Sequence, residues 1–172
     1  DGADTYVFDV GFGQDVIEES VGNVSIADSD IVQFGVGLSL DRAIFVRSGN
    51  DLTIGFVGAA DALTIRGQFS HSAWFSGHQD IETFRFDGGV ALSDQDVRLR
   101  LIAQASTAGD DVIVGFWGDD VIHGGAGDDV LRGLGGGDTY LWGRESGSDI
   151  VDDLYGTVYE DQPDKISFLP NV

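Results

Sequence analysis

The chain has no cysteine, so disulfides and thiolate metal sites are excluded. It has no methionine either, not even at residue 1, and is therefore expected to be part of a larger protein. Basic residues are scarce: nine Lys and Arg face thirty Asp and Glu, for a formal net charge of -21. That balance repels polyanions, so nucleic acid is not an expected partner. An anionic membrane surface is disfavoured for the same reason. No apolar run approaches the roughly 18 residues of a membrane span, and no signal-peptide pattern is present, so no membrane insertion is expected.

Glycine, by contrast, is abundant: 26 of 172 residues, against a usual share of about 7%. Apolar residues make up 42%, enough for a core, and the length suits one domain or two small ones. The acidic excess reads either as a solvated surface or as a set of cation sites counted without their ions.

The glycines and aspartates follow a rule. Residues 106–141 divide into four nonapeptides, STAGDDVIV, GFWGDDVIH, GGAGDDVLR and GLGGGDTYL. The fourth residue is always Gly (Gly109, Gly118, Gly127, Gly136), the sixth Asp (Asp111, Asp120, Asp129, Asp138) and the eighth large and apolar (Ile113, Ile122, Leu131, Tyr140). A weaker fifth unit, with Gly147, Asp149 and Val151, follows a two-residue insertion at Trp142 and Gly143. Gly at such density weakens ordinary helices and strands, and Asp at such density repels itself. A coil of Gly-rich turns and three-residue strands accommodates both. Gly supplies the positive φ of the turns, and the middle strand residue points inward. Two nonapeptides make one coil, which stacks Asp111 over Asp129 and Asp120 over Asp138. Stacked carboxylates need a cation between them, and carboxylates with turn carbonyls are the hard oxygen set that Ca²⁺ prefers. A flexible Gly/Asp linker has no use for an apolar residue at every eighth position.

These units resemble the RTX, or haemolysin-type, calcium-binding repeat. The resemblance implies an all-β fold built on a parallel β-roll, and about three Ca²⁺ ions. It implies that each ion takes carbonyls of positions two and four and the Asp of one turn. Carbonyls of positions one and three and the Asp of the turn two units later complete the set. The first site would use Thr107, Gly109, Asp111, Gly124, Ala126 and Asp129. The second would use Phe116, Gly118, Asp120, Gly133, Gly135 and Asp138. The third would use Gly125, Gly127, Asp129, Arg144, Ser146 and Asp149, with the insertion breaking the period there.

A longer repeat runs at a constant offset of 134 without a gap, residues 1–34 against 135–168. GADTYVF matches GGDTYLW, DIVQF matches DKISF, and Gly13, Asp15 and Ile17 match Gly147, Asp149 and Val151. The expected organisation is the end of a preceding roll at 1–20, a β-rich domain at 21–105, a roll at 106–152 and the start of a next module at 153–172. Asp4 and Asp15 then occupy ligand positions whose stacking partners lie in another module. Neighbouring copies and end-to-end self-association are the expected contacts.

The middle segment holds no nonapeptides. Alternation predicts strands at 30–34, 43–48, 51–57, 61–66 and 81–86, with hairpin turns at SGND (48–51) and DGG (87–89). Ser93, with Asp96 three residues on, predicts the N-terminus of one short helix. SGNDLTIGF, DALTIRGQF, IETFRFDGG and LSDQDV resemble the haemolysin-type calcium-binding protein related domain, which implies a β-rich companion to the roll.

Other constellations carry less. His71, His78 and Asp80 lie beside Trp74 and Phe75 in a spacing that fits no metal motif, and a surface loop is the plainer reading. The same aromatics leave a carbohydrate- or protein-binding module open. His123, ninth in its unit, should point outward. The Asp pairs at 110–111, 119–120 and 128–129 are explained by the repeat rather than by acid/base chemistry. No nucleophile elbow or phosphate loop is present, and no enzyme activity is expected. The expected function is a calcium-binding structural module of a large bacterial RTX protein, extender- or adhesin-like. By resemblance it is exported by type I secretion to the medium or cell surface and folds there on calcium. The alternative is a calcium-binding module appended to a secreted enzyme (protease, lipase or epimerase) or a toxin.

Overall fold

The computed structural model describes residues 2–18, 29–70, 80–152 and 163–170. The chain forms two compact units, residues 1–97 and 98–172. The predicted loop of His71, Trp74, Phe75 and His78 lies outside the described residues, as do 19–28 and 153–162.

The first unit holds β1 (Thr5–Phe8), β2 (Gln14–Glu18), β3 (Ile31–Phe34), β4 (Ala43–Ser48), β5 (Asp51–Phe56), β6 (Ala62–Arg66), β7 (Thr83–Arg85) and β8 (Ala91–Ser93). Helix α1 (Asp94–Ala105) carries the chain into the second unit. One sheet has the order β1-β3-β7-β8 and the other β2-β6-β5-β4. The pairs β1/β3, β3/β7 and β2/β6 are parallel, and β4/β5, β5/β6 and β7/β8 are antiparallel. Strands β1 and β2, read from sequence as a roll end, thus pair directly with β3 and β6.

The alternation seen in sequence is the alternation of burial. Leu52, Ile54, Phe56, Leu63 and Ile65 are buried, Phe34 and Phe86 meet Phe56, and Phe45 meets Phe86. Phe34 lies 5.1 Å from both Phe56 and Phe86 between ring centroids. Burial of each such side chain stabilises by roughly 1.5–3 kcal/mol. The β4–β5 hairpin turns at Gly49 with φ +62°, and β7–β8 at Gly88 and Gly89 with φ +87° and +80°. Buried Gln68 acts as a short strand substitute: its amide donates to the Ile81 carbonyl at 3.0 Å, and its oxygen accepts from the Ile81 N–H at 3.0 Å. The helix starts where predicted. The Ser93 N–H donates to Asp96 Oδ2 at 2.8 Å, and the Asp96 N–H donates to Ser93 Oγ at 3.1 Å, a reciprocal capping box.

The second unit holds β9 (Val112–Val114), β10 (Val121–His123), β11 (Val130–Arg132), β12 (Thr139–Trp142), β13 (Ile150–Val151) and β14 (Lys165–Phe168). They form two parallel sheets, β13-β11-β9 and β10-β12-β14. Val112 pairs Val130 and Val121 pairs Thr139, one coil apart. The eighth residues Ile113, Ile122, Leu131 and Tyr140 are buried as predicted. Phe116 is buried with them, and the Arg98 guanidinium lies 5.3 Å from its ring centroid. Among the described residues the architecture is mostly strand with one α-helix, in keeping with the all-β expectation.

Candidate metal centre

Three-residue strands leave the intervening Gly-rich segments as turns stacked one coil apart. A Cβ on Gly127, with φ +123°, would sit 2.6 Å from the Gly109 carbonyl. Only glycine allows both that φ and that approach. Position-four carbonyls are thereby stacked along one edge, Gly109 on Gly127, and along the other, Gly118 on Gly136. Thr107 and Gly125 stack in the same way at position two, and Gly115 and Gly133 at position one.

The aspartates form rows. The Asp111 N–H donates to Asp129 Oδ1 at 2.9 Å, and the Asp129 N–H donates to Asp149 Oδ1 at 3.1 Å. On the other edge the Asp120 N–H donates to Asp138 Oδ1 at 2.9 Å, and the Asp138 N–H to Asp164 Oδ1 at 3.0 Å. One carboxylate oxygen is thus pinned by the turn before it, and the second turns toward its own loop. Thr107 donates from its N–H to Asp111 Oδ2 at 2.6 Å, and Phe116 to Asp120 Oδ2 at 2.5 Å. The Gly133 N–H instead donates to the Tyr140 hydroxyl at 3.0 Å. A Cβ on Gly124 would sit 2.9 Å from the Asp129 carboxyl carbon, so the glycine leaves room for the carboxylate to fold in.

The structure brings Asp111, Asp129 and Asp149 onto one edge, and Asp120 and Asp138 onto the other. Asp129 and Asp138 are 1% and 0% exposed, unusual for aspartate unless a partner compensates. The Gly124 carbonyl accepts from Ser106 Oγ at 2.9 Å. Gly118 and Gly109 are exposed, Gly125, Ala126 and Gly127 half-buried, and Gly135 buried. Of the third set, Arg144 is exposed and Ser146 buried. The insertion does not break the ladder: Val130 pairs Ile150, Trp142 ends β12, and the Gly143 N–H donates to Ser146 Oγ at 2.9 Å. His123 ends β10 half-buried, and Asp149 is half-buried too. The net shift of the Asp149 carboxyl pKa is upward. Burial is the largest cause, the Asp129 N–H opposes it, and the Asp129 and Asp128 charges add to it.

Three residues in these rows were missed from the nonapeptide pattern. Asp164 extends the second row, and the first unit repeats the device. There the Asp4 N–H donates to Asp30 Oδ1 at 2.8 Å and the Asp30 N–H to Glu82 Oε2 at 2.6 Å. The signal for Asp30 and Asp164 was present in the 134-residue repeat, which superposes them and pairs Asp4 with Asp138.

Residues 106–131 match the model of the RTX calcium-binding nonapeptide repeat (4 copies). The chain carries RTX calcium-binding repeats. Residues 51–96 match the haemolysin-type calcium binding protein related domain. Among curated proteins, the chain is 33% identical over 112 residues to the iron-regulated protein FrpA of Neisseria meningitidis serogroup C, across 65% of this chain and 10% of FrpA. The chain therefore spans a small part of that relative's length. No solved structure matches it.

RTX repeats bind calcium, and the donors of this RTX roll suit that ion. Asp129 Oδ2 and Asp149 Oδ2 are buried with no hydrogen-bond partner among the described residues, a costly state for a carboxylate oxygen that a cation relieves. No group of three Asp, Glu or His side chains converges to hold a metal among the described residues. Turn carbonyls beside paired carboxylates are oxygen donors of the kind Ca²⁺ takes.

Proposed function

We propose that the chain is a calcium-binding structural module of a large secreted or cell-surface bacterial RTX protein, extender- or adhesin-like and without catalytic activity, which folds on calcium after export. The observation that carries this reading is Asp129: 1% exposed, centred in its row, with Oδ2 unpartnered. About three ions are assigned, to the sets of Asp111 with Asp129, Asp120 with Asp138, and Asp129 with Asp149, each completed by the turn carbonyls named above. Bound calcium would supply positive charge between turns, held there by the carboxylate and carbonyl oxygens of both. The chain's own residues do the rest: backbone N–H groups aim the carboxylates, and glycines let the turns stack. Without the ion the rows repel, so binding is coupled to folding. With a dissociation constant of roughly 10⁻⁴ M, typical of extracellular modules, about 10 mM calcium stabilises by about 2.7 kcal/mol per site. The 134-residue repeat, and a match confined to 10% of FrpA, favour a module repeated within a long chain. Amide exchange at Ile113, Ile122 and Leu131 tests the reading. Protection in millimolar calcium and its loss in chelator are expected; equal protection in both would refute it.

A further inference from the structure

The two units contain the same strand pair twice. β1 pairs β3 with Thr5 opposite Ile31, and β12 pairs β14 with Thr139 opposite Lys165, each residue shifted by 134. The surrounding bonds shift with them. The Ile31 N–H donates to the Asp4 carbonyl at 2.9 Å and the Lys165 N–H to the Asp138 carbonyl at 2.8 Å. Gly35 donates to Phe8, and Leu169 to Trp142, both at 2.8 Å.

The opposite edges differ. β12 is a central strand: Thr139 donates to the Asp120 carbonyl at 2.8 Å, and Asp138 Oδ1 accepts from the Asp120 N–H. β1 and β2 are each the end strand of their sheet. Gly136 and Gly147, at φ +117° and +75°, are stacked so closely that a Cβ would meet the Gly118 oxygen at 2.6 Å and the Gly127 carbonyl carbon at 2.7 Å. Their equivalents Gly2 and Gly13 hold the same left-handed conformation, at φ +102° and +81°, with nothing within 4 Å. Asp4 is exposed where Asp138 is fully buried. Residues 2–16 therefore present two turns already shaped for stacking, and the second unit shows what stacks on such turns.

We propose that this edge is the landing site for the roll of a second copy placed 134 residues upstream in the same polypeptide. That copy's β10 would pair with β1 and its β11 would flank β2, so one module's roll runs into the next module's sheets without a break. Thr5 then donates to the upstream Asp120 carbonyl, and Asp4 accepts from the upstream Asp120 N–H. Val16 and Asp15 do the same with Asp129, as Ile150 and Asp149 do here at 2.7 and 3.1 Å. An open edge of this kind otherwise invites pairing with any strand. Gly2 and Gly13, which need no Cβ clearance in the isolated unit, restrict it to a Gly-rich turn of matching shape. The proposal rests on reading the chain as one of several modules.

The test is a chain in which residues 1–134 are followed directly by the whole sequence 1–172, compared with the single chain at saturating calcium. In the single chain the Thr5 and Val16 amides should exchange quickly, and Thr139 and Ile150 slowly. In the downstream copy of the two-copy chain, Thr5 and Val16 should slow by at least about tenfold. Asp4→Ala in that copy should abolish the slowing at Thr5. It should leave Ile31 protected, since Ile31 bonds the residue 4 carbonyl rather than its side chain. Fast exchange at Thr5 and Val16 beside a protected Thr139 would overturn the shared edge alone. An unprotected Thr139 in both chains would overturn the calcium reading as well.

Discussion

Gly118 and Gly136 occupy the same place in alternate turns, at φ +118° and +117°, but in different surroundings. An alanine at either is strained by about 1–3 kcal/mol. At Gly118 its methyl meets nothing within 4 Å, whereas at Gly136 it comes within 2.6 Å of the Gly118 oxygen. Gly136→Ala should therefore lower the denaturant midpoint in calcium clearly further than Gly118→Ala. Equal losses would mean that conformation, not stacking, selects glycine at position four. Both glycines were legible from the nine-residue period. Leu134 shows what was not. It holds φ +83°, at the position the preceding unit gives to Gly125 at +105°. The stacked neighbours impose the turn there against the residue's own preference, which no local pattern reveals.

At the scale of elements, Asp61 ties the loop before β2 to the start of β6. Its Oδ2 and Oδ1 accept from the Gly11 and Gly13 N–H groups, both at 2.9 Å. These bonds, Gly11 first, hold its carboxyl pKa below the usual value, against a smaller opposing effect of burial. A depressed folded value means the stabilisation is complete above the unfolded pKa of about 3.9 and is lost as pH falls through the folded value. Asp61→Asn replaces one acceptor by a donor facing an N–H. Exchange at Gly11 and Gly13, corrected for its intrinsic pH dependence, should rise only in acid in the wild type and already at neutral pH in the variant. No neutral-pH difference would show that the loop holds without this contact. Asp61 was invisible to periodicity because its partners are backbone groups nearly fifty residues away. Strands β4 to β6 were legible because one face is buried and the other is not, and the helix start because Ser93 and Asp96 are local. Glu82 and Asp164 escaped because they continue the carboxylate rows outside any nonapeptide. Long-range strand pairing puts Glu82 in line, whereas for Asp164 the signal lay in the 134-residue repeat rather than in the nine-residue one.

For the whole molecule, the proposed role of calcium is to stabilise the roll from between the carboxylate rows, where apolar burial alone would not suffice. Asp129 is the place to ask, because it touches both neighbours in its row: Asp111 donates to it, and it donates to Asp149. Two of the three proposed ions would use it, whereas Asp111 and Asp149 would each serve one. At about 2.7 kcal/mol per site, losing two would remove much of the roughly 5–15 kcal/mol that stabilises a domain. The deciding measurement is melting temperature against calcium concentration for the wild type and for Asp111→Ala, Asp129→Ala and Asp149→Ala. Each is referred to its own value in chelator, which subtracts the hydrogen bonds the substitution also deletes. The proposed calcium role requires a calcium-dependent gain that is largest in the wild type, reduced in Asp111→Ala and Asp149→Ala, and smallest in Asp129→Ala. A wild-type melting temperature that calcium does not raise, or an Asp129→Ala gain as large as that of the wild type, would contradict it.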